Sequence, residues 1–224
     1  MLLLFALTLA RAIASTNEVP RMTPTEIAAK TKEYLSAAYP HISVTIQEGN
    51  GSTNRPQIIF TEEKFAVLYP MQRYHYLIHS LPKEFFDAHL SNLIWVELAP
   101  GERASDLRYP DENLMKQIGP DVLRAIARAG VCKALDDLMS PVDPKQPGLE
   151  CQGDFRLTKR VLREKGFKEA GPVDEVFDIC HVLMQNGAYC DCEVLYNAAE
   201  ENRLKAKYWK ERAGKAQQGG GHVR

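Results

Sequence analysis

The chain has 224 residues, of which 45% are hydrophobic and 25% are charged, a composition typical of a folded globular protein rather than a disordered or fibrous one. Its 28 basic and 29 acidic residues give a formal net charge of −1, which excludes a global field that would steer the protein to nucleic acid or to an anionic membrane. The length suits one large domain or two small ones, and we favour two.

The beginning of the chain is interpreted as a segment of its own, 1–22. Its apolar run, Leu2–Ala10, is too short to span a bilayer, and it lacks the Lys or Arg residues that normally precede the core of a signal peptide. Residues 1–14 would export the protein if they act as a signal peptide. The alternative is that translation starts at Met22, directly before a helix that Thr23 can cap.

Residues 23–100 are predicted to form a small α+β domain. Apolar residues at helical spacing alternate along the chain with β-rich runs of period two. The predicted elements follow in the order α-β-β-α-α-β, at 23–38, 42–47, 57–60, the helical pieces 65–69 and 73–79 broken by Pro70, 83–90 and 94–98. This order predicts a three-stranded sheet covered by helices.

The remainder of the chain is predicted to be mostly helical. Residues 101–148 are interpreted as a connecting segment with one helix, 122–138, and the proline-rich stretch 140–148 is the best linker candidate. Residues 149–212 are predicted to form a helical domain that contains Cys151, Cys180, Cys190 and Cys192. Its predicted helices are 158–165, 173–185 and 194–212. The glycine-rich end, 213–224, is predicted to be a disordered tail.

The cysteine pattern indicates a reducing compartment. The chain has five cysteines, an odd number, and only one residue separates Cys190 from Cys192. A secreted disulfide framework usually has an even count, so we expect a cytoplasmic protein. Cys132 and Cys180 are each flanked by apolar residues and are expected to be ordinary buried thiols.

Cys151, Cys190 and Cys192 have the chemistry of a metal site. Thiolates and neutral imidazole are the preferred ligands of Zn²⁺, and a structural site needs four of them in a tetrahedron. His181 would complete a Cys₃His set, and Cys180 in its place would complete a Cys₄ set. Adjacent residues on a helix point about 100° apart, so both should not reach one metal. Buried thiols, or a redox pair at Cys190 and Cys192, stay open as alternatives.

The same region carries a family resemblance. The runs Cys151–Thr158 and Cys190–Asn197 resemble the bacterial family known as domain of unknown function 2695, over about residues 150–200. Members of that family often have Cys-Asp-His in the first run and Cys-Asp-Cys in the second, which implies a metal site. In this chain the three cysteines match, but Gly153 occupies the position of the histidine, and His181 is the substitute candidate. The family has no assigned activity, so the resemblance implies no function.

A second resemblance concerns the N-terminal domain. Phe65, the run 72–77 and His89 before the last strand are similar in order to BolA-like proteins, whose α-β-β-α-α-β fold is related to the type II KH arrangement. BolA-like proteins partner monothiol glutaredoxins and use a histidine before the last strand as an iron–sulfur ligand, so the resemblance implies that role for His89. The domain has no Gly-x-x-Gly loop, and it gives no strong indication of nucleic-acid binding.

The sequence shows no phosphate loop, nucleotide fingerprint or serine elbow, and it gives no support to an enzymatic function. The leading hypothesis is a non-enzymatic binding or regulatory protein with a structural zinc site in its C-terminal domain. Its partner would be a protein or another macromolecule. One alternative is a thiol-dependent redox or hydrolytic enzyme that uses Cys190 or Cys192. Another is a BolA-like iron–sulfur partner protein that acts through His89.

Overall fold

The computed structural model of the protein describes residues 22–49, 55–143, 145–169, 174–199, 202–208 and 210. The chain divides into two compact units: the first runs up to Glu63 and includes Leu77–Gly101, and the second contains Lys64–Tyr76 and the chain from Glu102 onward. The predicted α+β class is confirmed, with a three-stranded sheet in the first unit and a mostly helical second unit. The interpretations of the segment 1–22 and of the tail 213–224 concern residues 1–21 and 211–224, which lie outside the described residues.

The first unit is built on one helix and three strands. Helix α1, Pro24–Leu35, starts at Thr23, whose hydroxyl accepts the N–H of Glu26 while the Glu26 carboxylate accepts the N–H of Thr23. The strands are β1 Ser43–Gln47, β2 Gln57–Thr61 and β3 Ile94–Leu98. Strand β2 lies in the centre and pairs antiparallel with β1 and parallel with β3.

Between β2 and β3 the chain is helical, as predicted. The segments are a 3₁₀ turn at Glu63–Val67, α2 at Pro70–His79, α3 at Lys83–Phe85 and a π-helical turn at Phe86–Leu90. The first unit fully buries the side chains of Leu35, Ile42, Ile58, Phe60, Leu77 and Leu90. Burial of each of these side chains contributes about 1.5–3 kcal/mol, so they form the core that holds the sheet to its helices.

The second unit packs its helices around α7. Its helices are α4 Glu112–Arg128, α5 Val131–Met139, α6 Arg156–Glu164, α7 Glu175–Gln185 and α8 Asp191–Glu193, which continues as a π-helical turn, Val194–Ala198. Helix α7 is buried on most sides, from Val176 to Met184, as expected for a helix at the centre of a core. In the part of the chain that the structure describes, no helix is both long and apolar enough to cross a membrane.

The segment interpreted as a connection with one helix contains two. Helix α4 starts ten residues earlier than predicted, because the Asp111 carboxylate accepts two N–H groups of its first turn. Pro120 lies inside α4, although a proline there removes one backbone hydrogen bond. The helix continues past it with Met115 and Ile126 buried on its inner face. Gly130, with φ of 69°, then separates α4 from α5.

The predicted helix 194–212 is not continuous. Ala199 has an extended backbone, with φ of −90° and ψ of 157°, and it ends the π-helical turn. Residues 203–208 are again helical, and the Asn202 side chain accepts the N–H of Lys205 at 2.9 Å. Asparagine is a favoured N-cap residue, so Asn202 marks the start of this segment. The break at Ala199 itself carries no glycine or proline that would have predicted it.

A distant aspartate also caps the helical segment 203–208. The carboxylate of Asp136 on α5 is only 5% exposed, and it accepts the N–H of Arg203 at 3.3 Å and that of Leu204 at 3.0 Å. The first N–H groups of a helix have no partner within the helix. Asp136 therefore ties this segment to α5.

Replacement of Asp136 by alanine should destabilise the protein by about 0.5–2 kcal/mol, because it removes the cap acceptor of the partly buried N–H groups of Arg203 and Leu204. The neighbouring Asp137→Ala is the matched control, since Asp137 pairs with Lys133 and Arg203 at the surface and such pairs contribute about 0–1 kcal/mol. Urea unfolding of both variants checks this. Equal losses in the two variants would contradict the capping role.

Candidate metal centre

The three cysteines of the predicted metal site converge in the second unit. The Sγ atoms of Cys151, Cys190 and Cys192 all lie within 4.8 Å of one another, and those of Cys190 and Cys192 are 3.2 Å apart. Sulfurs about 2.3 Å from a tetrahedral zinc ion lie roughly 3.8 Å apart. Small side-chain shifts would therefore bring the three thiols to the spacing of a metal site, and they could hold a metal ion.

Two short backbone segments present these thiols. Cys151 lies in the loop before α6, while Cys190 is the N-cap residue of α8 and Cys192 lies within α8. Gly153 has φ of 76°, which favours glycine, and this turn brings its N–H to the Cys151 sulfur. The N–H of Cys192 bonds the same sulfur. Hydrogen bonds of this kind favour the thiolate, the form that binds metal.

The buried carboxylate of Asp191 holds α6 against the Cys-Asp-Cys segment. It has no exposed surface and accepts the N–H of Leu157 at 3.1 Å, the N–H of Thr158 at 2.8 Å and the Thr158 hydroxyl at 2.8 Å. The residue at the N-cap of α6, Phe155, makes no side-chain cap. Asp191 therefore supplies the cap of this helix from a distant segment of the chain.

Asp154 completes the connection between the two cysteine segments. Its carbonyl oxygen accepts the N–H of Asp191 at 2.9 Å. Its carboxylate, 3% exposed, accepts the backbone N–H of Arg156 at 3.0 Å and hydrogen bonds from Nε and Nη2 of the same residue's guanidinium. Because Cys151 lies three residues before Asp154, these bonds fix its position relative to the cysteines on either side of Asp191.

Of the three cysteines, Cys151 is the one whose surroundings most favour the thiolate. Hydrogen bonds from the thiols of Cys190 and Cys192, followed by those from backbone N–H groups, hold the pKa of Cys151 well below its usual range. The bonds to Cys151 raise the pKa of Cys190 and of Cys192. These directions favour the thiolate at Cys151 and the thiol form at Cys190 and Cys192 in the absence of a metal.

The surroundings of the cluster are negative. Burial raises the pKa of Asp191 to about 6; hydrogen bonds from Thr158 and Leu157 oppose this rise, and the charge of Cys151 adds to it. The Glu193 carboxylate accepts the N–H of Tyr189 at 2.7 Å. A cation bound to the sulfurs would reduce the repulsion among these charges.

Residues 138–197 match the family model described as Protein of unknown function (DUF2695). The matched region contains the three cysteines and Asp191, and it confirms the predicted resemblance. It covers well under half of the chain. No curated protein and no solved structure gives a significant match, and the BolA-like resemblance of the N-terminal part is not confirmed. The description of the family names no activity, so function must be argued from the site.

His181, the expected fourth ligand, is not one of the residues that the structure brings together at the cluster. It is fully buried on α7, with its Nδ1 2.7 Å from the carbonyl oxygen of Phe177 and its ring against the rings of Phe177 and Tyr69. Its Nε2 has no hydrogen-bond partner among the described residues. Burial lowers the pKa of His181 to about 4, so the ring is neutral at pH 7.

The other predicted site residue, His89, belongs to the first unit. It lies half-buried in the π-helical turn Phe86–Leu90, with its ring 5.1 Å from that of Phe85. Within the described ranges, the three cysteines form the only group of three or more His, Cys, Asp or Glu residues with metal-site spacing. The iron–sulfur role that the BolA-like resemblance implies for His89 therefore gains no structural support.

The sequence analysis does not predict two contributors to the site. Asp191 is the first, and the signal that could have indicated its role is the lack of a local side-chain cap on α6. Tyr76 is the second. Its hydroxyl donates to the carbonyl oxygen of Tyr189 at 3.0 Å, and burial, followed by the nearby Cys190, raises its pKa. No local pattern relates Tyr76 to a residue so far along the chain.

Asp191→Ala should destabilise the protein by about 2–4 kcal/mol, because it removes a charged acceptor from three donors at the start of α6. Asp191→Asn keeps one acceptor oxygen and should lose about half as much. Urea unfolding measures both, and labelling of the cysteines in the native state should be faster in the alanine variant. If the two variants unfold alike and label alike, Asp191 does not act as the cap.

The neutral His181 should make stability depend on pH. The unfolded chain binds a proton at this residue below about pH 6.5, whereas the folded chain does so only near pH 4. Stability is therefore lost as the pH falls from about 6.5 to 4, by up to about 3 kcal/mol. The difference in unfolding free energy between pH 7 and pH 4.5, measured by urea titration with a chelator present, should be smaller in His181→Leu than in wild type. Equal differences in the two proteins would show that His181 does not cause the pH dependence.

Proposed function

We propose that the protein is a non-enzymatic binding or regulatory protein in which Cys151, Cys190 and Cys192 hold a zinc ion. The observation that carries the proposal is the convergence of these thiols through hydrogen bonds of their own segments. The ion would fix the two cysteine segments and α6 as one rigid surface of the second unit. That surface would bind a protein or another macromolecule.

Zinc suits the donor set. Thiolates are soft ligands that select Zn²⁺, Cu(I) or iron–sulfur clusters over hard cations, and Zn²⁺ has no redox chemistry. Cys190 and Cys192, whose pKa values are raised in the metal-free cluster, would lose their protons on binding. Zinc affinity should therefore fall as the pH is lowered.

The groups beside the cluster support a structural rather than a catalytic metal. The carboxylate of Asp191 accepts N–H groups of α6, and that of Glu193 accepts the N–H of Tyr189. A general base must reach the proton that it removes, and both of these carboxylates are already engaged by backbone donors. A reducing compartment, the expected cytoplasm, belongs to the same proposal, because metal binding requires these cysteines to stay free of disulfide bonds.

The test is zinc analysis of the purified chain and of single cysteine variants. Wild type should carry one zinc per chain, and Cys192→Ser should lose most of it. Cys132→Ser is the matched control, because Cys132 is half-buried on α5 and is not part of the cluster. The thiols of wild type should be protected until a chelator is added. A chain without zinc, or equal zinc in both variants, would overturn the proposal.

A thiol-dependent redox enzyme is the second candidate, favoured by the distance of 3.2 Å between the sulfurs of Cys190 and Cys192. In this reaction the two thiols would lose two electrons and two protons to a small disulfide and form a disulfide bond, while the acceptor becomes two thiols. Mass spectrometry of the metal-free chain after treatment with glutathione disulfide tests it. Rapid formation of the Cys190–Cys192 bond supports the candidate, and its absence removes it.

A further inference from the structure

The metal site has three ligands from the described chain, one short of a tetrahedron. No fourth His, Cys, Asp or Glu donor of the described residues lies within the group. Asp191 and Glu193, the nearest carboxylates in sequence, accept backbone N–H groups instead. A structural zinc site needs four ligands, so a structural site with three ligands from the described residues needs a fourth from elsewhere.

The space around Gly153, two residues after Cys151, is open. A Cβ atom placed on Gly153 would meet nothing within 4 Å, and the N–H of this residue bonds the Cys151 sulfur. Cys151 and Cys192 are half-buried, whereas Cys190 is only 6% exposed. A ligand from outside would therefore approach between Cys151 and Cys192, on the side of Gly153.

The charges around the fourth coordination position of the metal favour a neutral ligand. A divalent ion with three thiolates carries a net charge of about −1, and Asp191 and Glu193 lie next to the ligands in sequence. The cation nearest the cluster in sequence, Arg156, is held by the Asp154 carboxylate in two hydrogen bonds. An anion would be repelled. The imidazole of a histidine side chain, with an ordinary pKa of about 6.5, is mostly neutral at pH 7 and is a preferred zinc donor.

We propose that the metal held by Cys151, Cys190 and Cys192 keeps its fourth position open toward Gly153, and that this position takes a neutral imidazole from outside the described chain. This inference rests on the proposed function. The imidazole belongs to a partner molecule, whose histidine would bind the metal directly and so join the two molecules at the site.

Absorption spectroscopy of the full chain loaded with Co²⁺ tests the inference. A thiolate-to-cobalt charge-transfer band reports the sulfurs, and the visible d–d bands report the fourth ligand. Added imidazole should shift the d–d bands to a saturable end point while the charge-transfer band keeps its intensity. Azide, the anionic probe, should need at least about tenfold higher concentration. Unchanged d–d bands, loss of cobalt before any shift, or preference for azide would overturn the inference.

A histidine built into the chain should close the position. Gly153→His is expected to give the imidazole-bound spectrum without added imidazole and to lose the response to it. Gly166→His is the matched control, because Gly166 also has a positive φ, of 88°, and open space for a Cβ, but it follows the opposite end of α6. The control should respond as wild type does. If both variants respond alike, the open position is not beside Gly153.

Two further results separate the possible failures. Absence of the charge-transfer band in wild type would mean that the proposed metal function fails. A normal band with d–d bands that ignore imidazole would mean that only the open position fails. His222→Ala tests whether the chain supplies the ligand itself: a response to imidazole that appears only in this variant would assign the fourth position to His222 and overturn the inference.

Discussion

The geometry of the cysteine cluster depends on the buried carboxylate of Asp191. Helix α6 has no side-chain cap at Phe155, and Asp191 accepts the N–H groups of Leu157 and Thr158 in its place. Because Cys190 and Cys192 flank this residue, the start of α6 and the positions of the sulfurs are set by one interaction. The second unit uses the same device at Asp136, which caps a segment far along the chain.

Charge explains why this arrangement suits a cation. The thiol cluster lowers the pKa of Cys151 and raises those of its neighbours, while burial raises that of Asp191. The raised pKa values of Cys190, Cys192 and Asp191 disfavour their charged forms when no metal is bound. A divalent ion would compensate their negative charge and convert the thiols into thiolates. Protons and metal therefore compete for the same three sulfurs.

Local patterns in the sequence predicted much of the fold. The alternation of apolar and polar residues around Val44 predicted a strand, and the capping residue Thr23 predicted a helix start. The cysteines themselves, as metal-binding residues, predicted the cluster. Two helix bounds were wrong: the extended backbone at Ala199 divides the predicted helix 194–212, and α4 includes Pro120, which the prediction placed before the helix. The fourth ligand proposed at His181 is buried on α7. Long-range packing decides these features, and a local pattern does not contain it.

In the proposed site the metal has three thiolate ligands and one nitrogen or oxygen ligand that does not come from the described residues. X-ray absorption at the zinc edge of the purified chain tests it most directly. The account predicts three sulfurs at about 2.3 Å and one nitrogen or oxygen at about 2.0–2.1 Å. Four sulfurs, or a shell of nitrogen and oxygen alone, would contradict it.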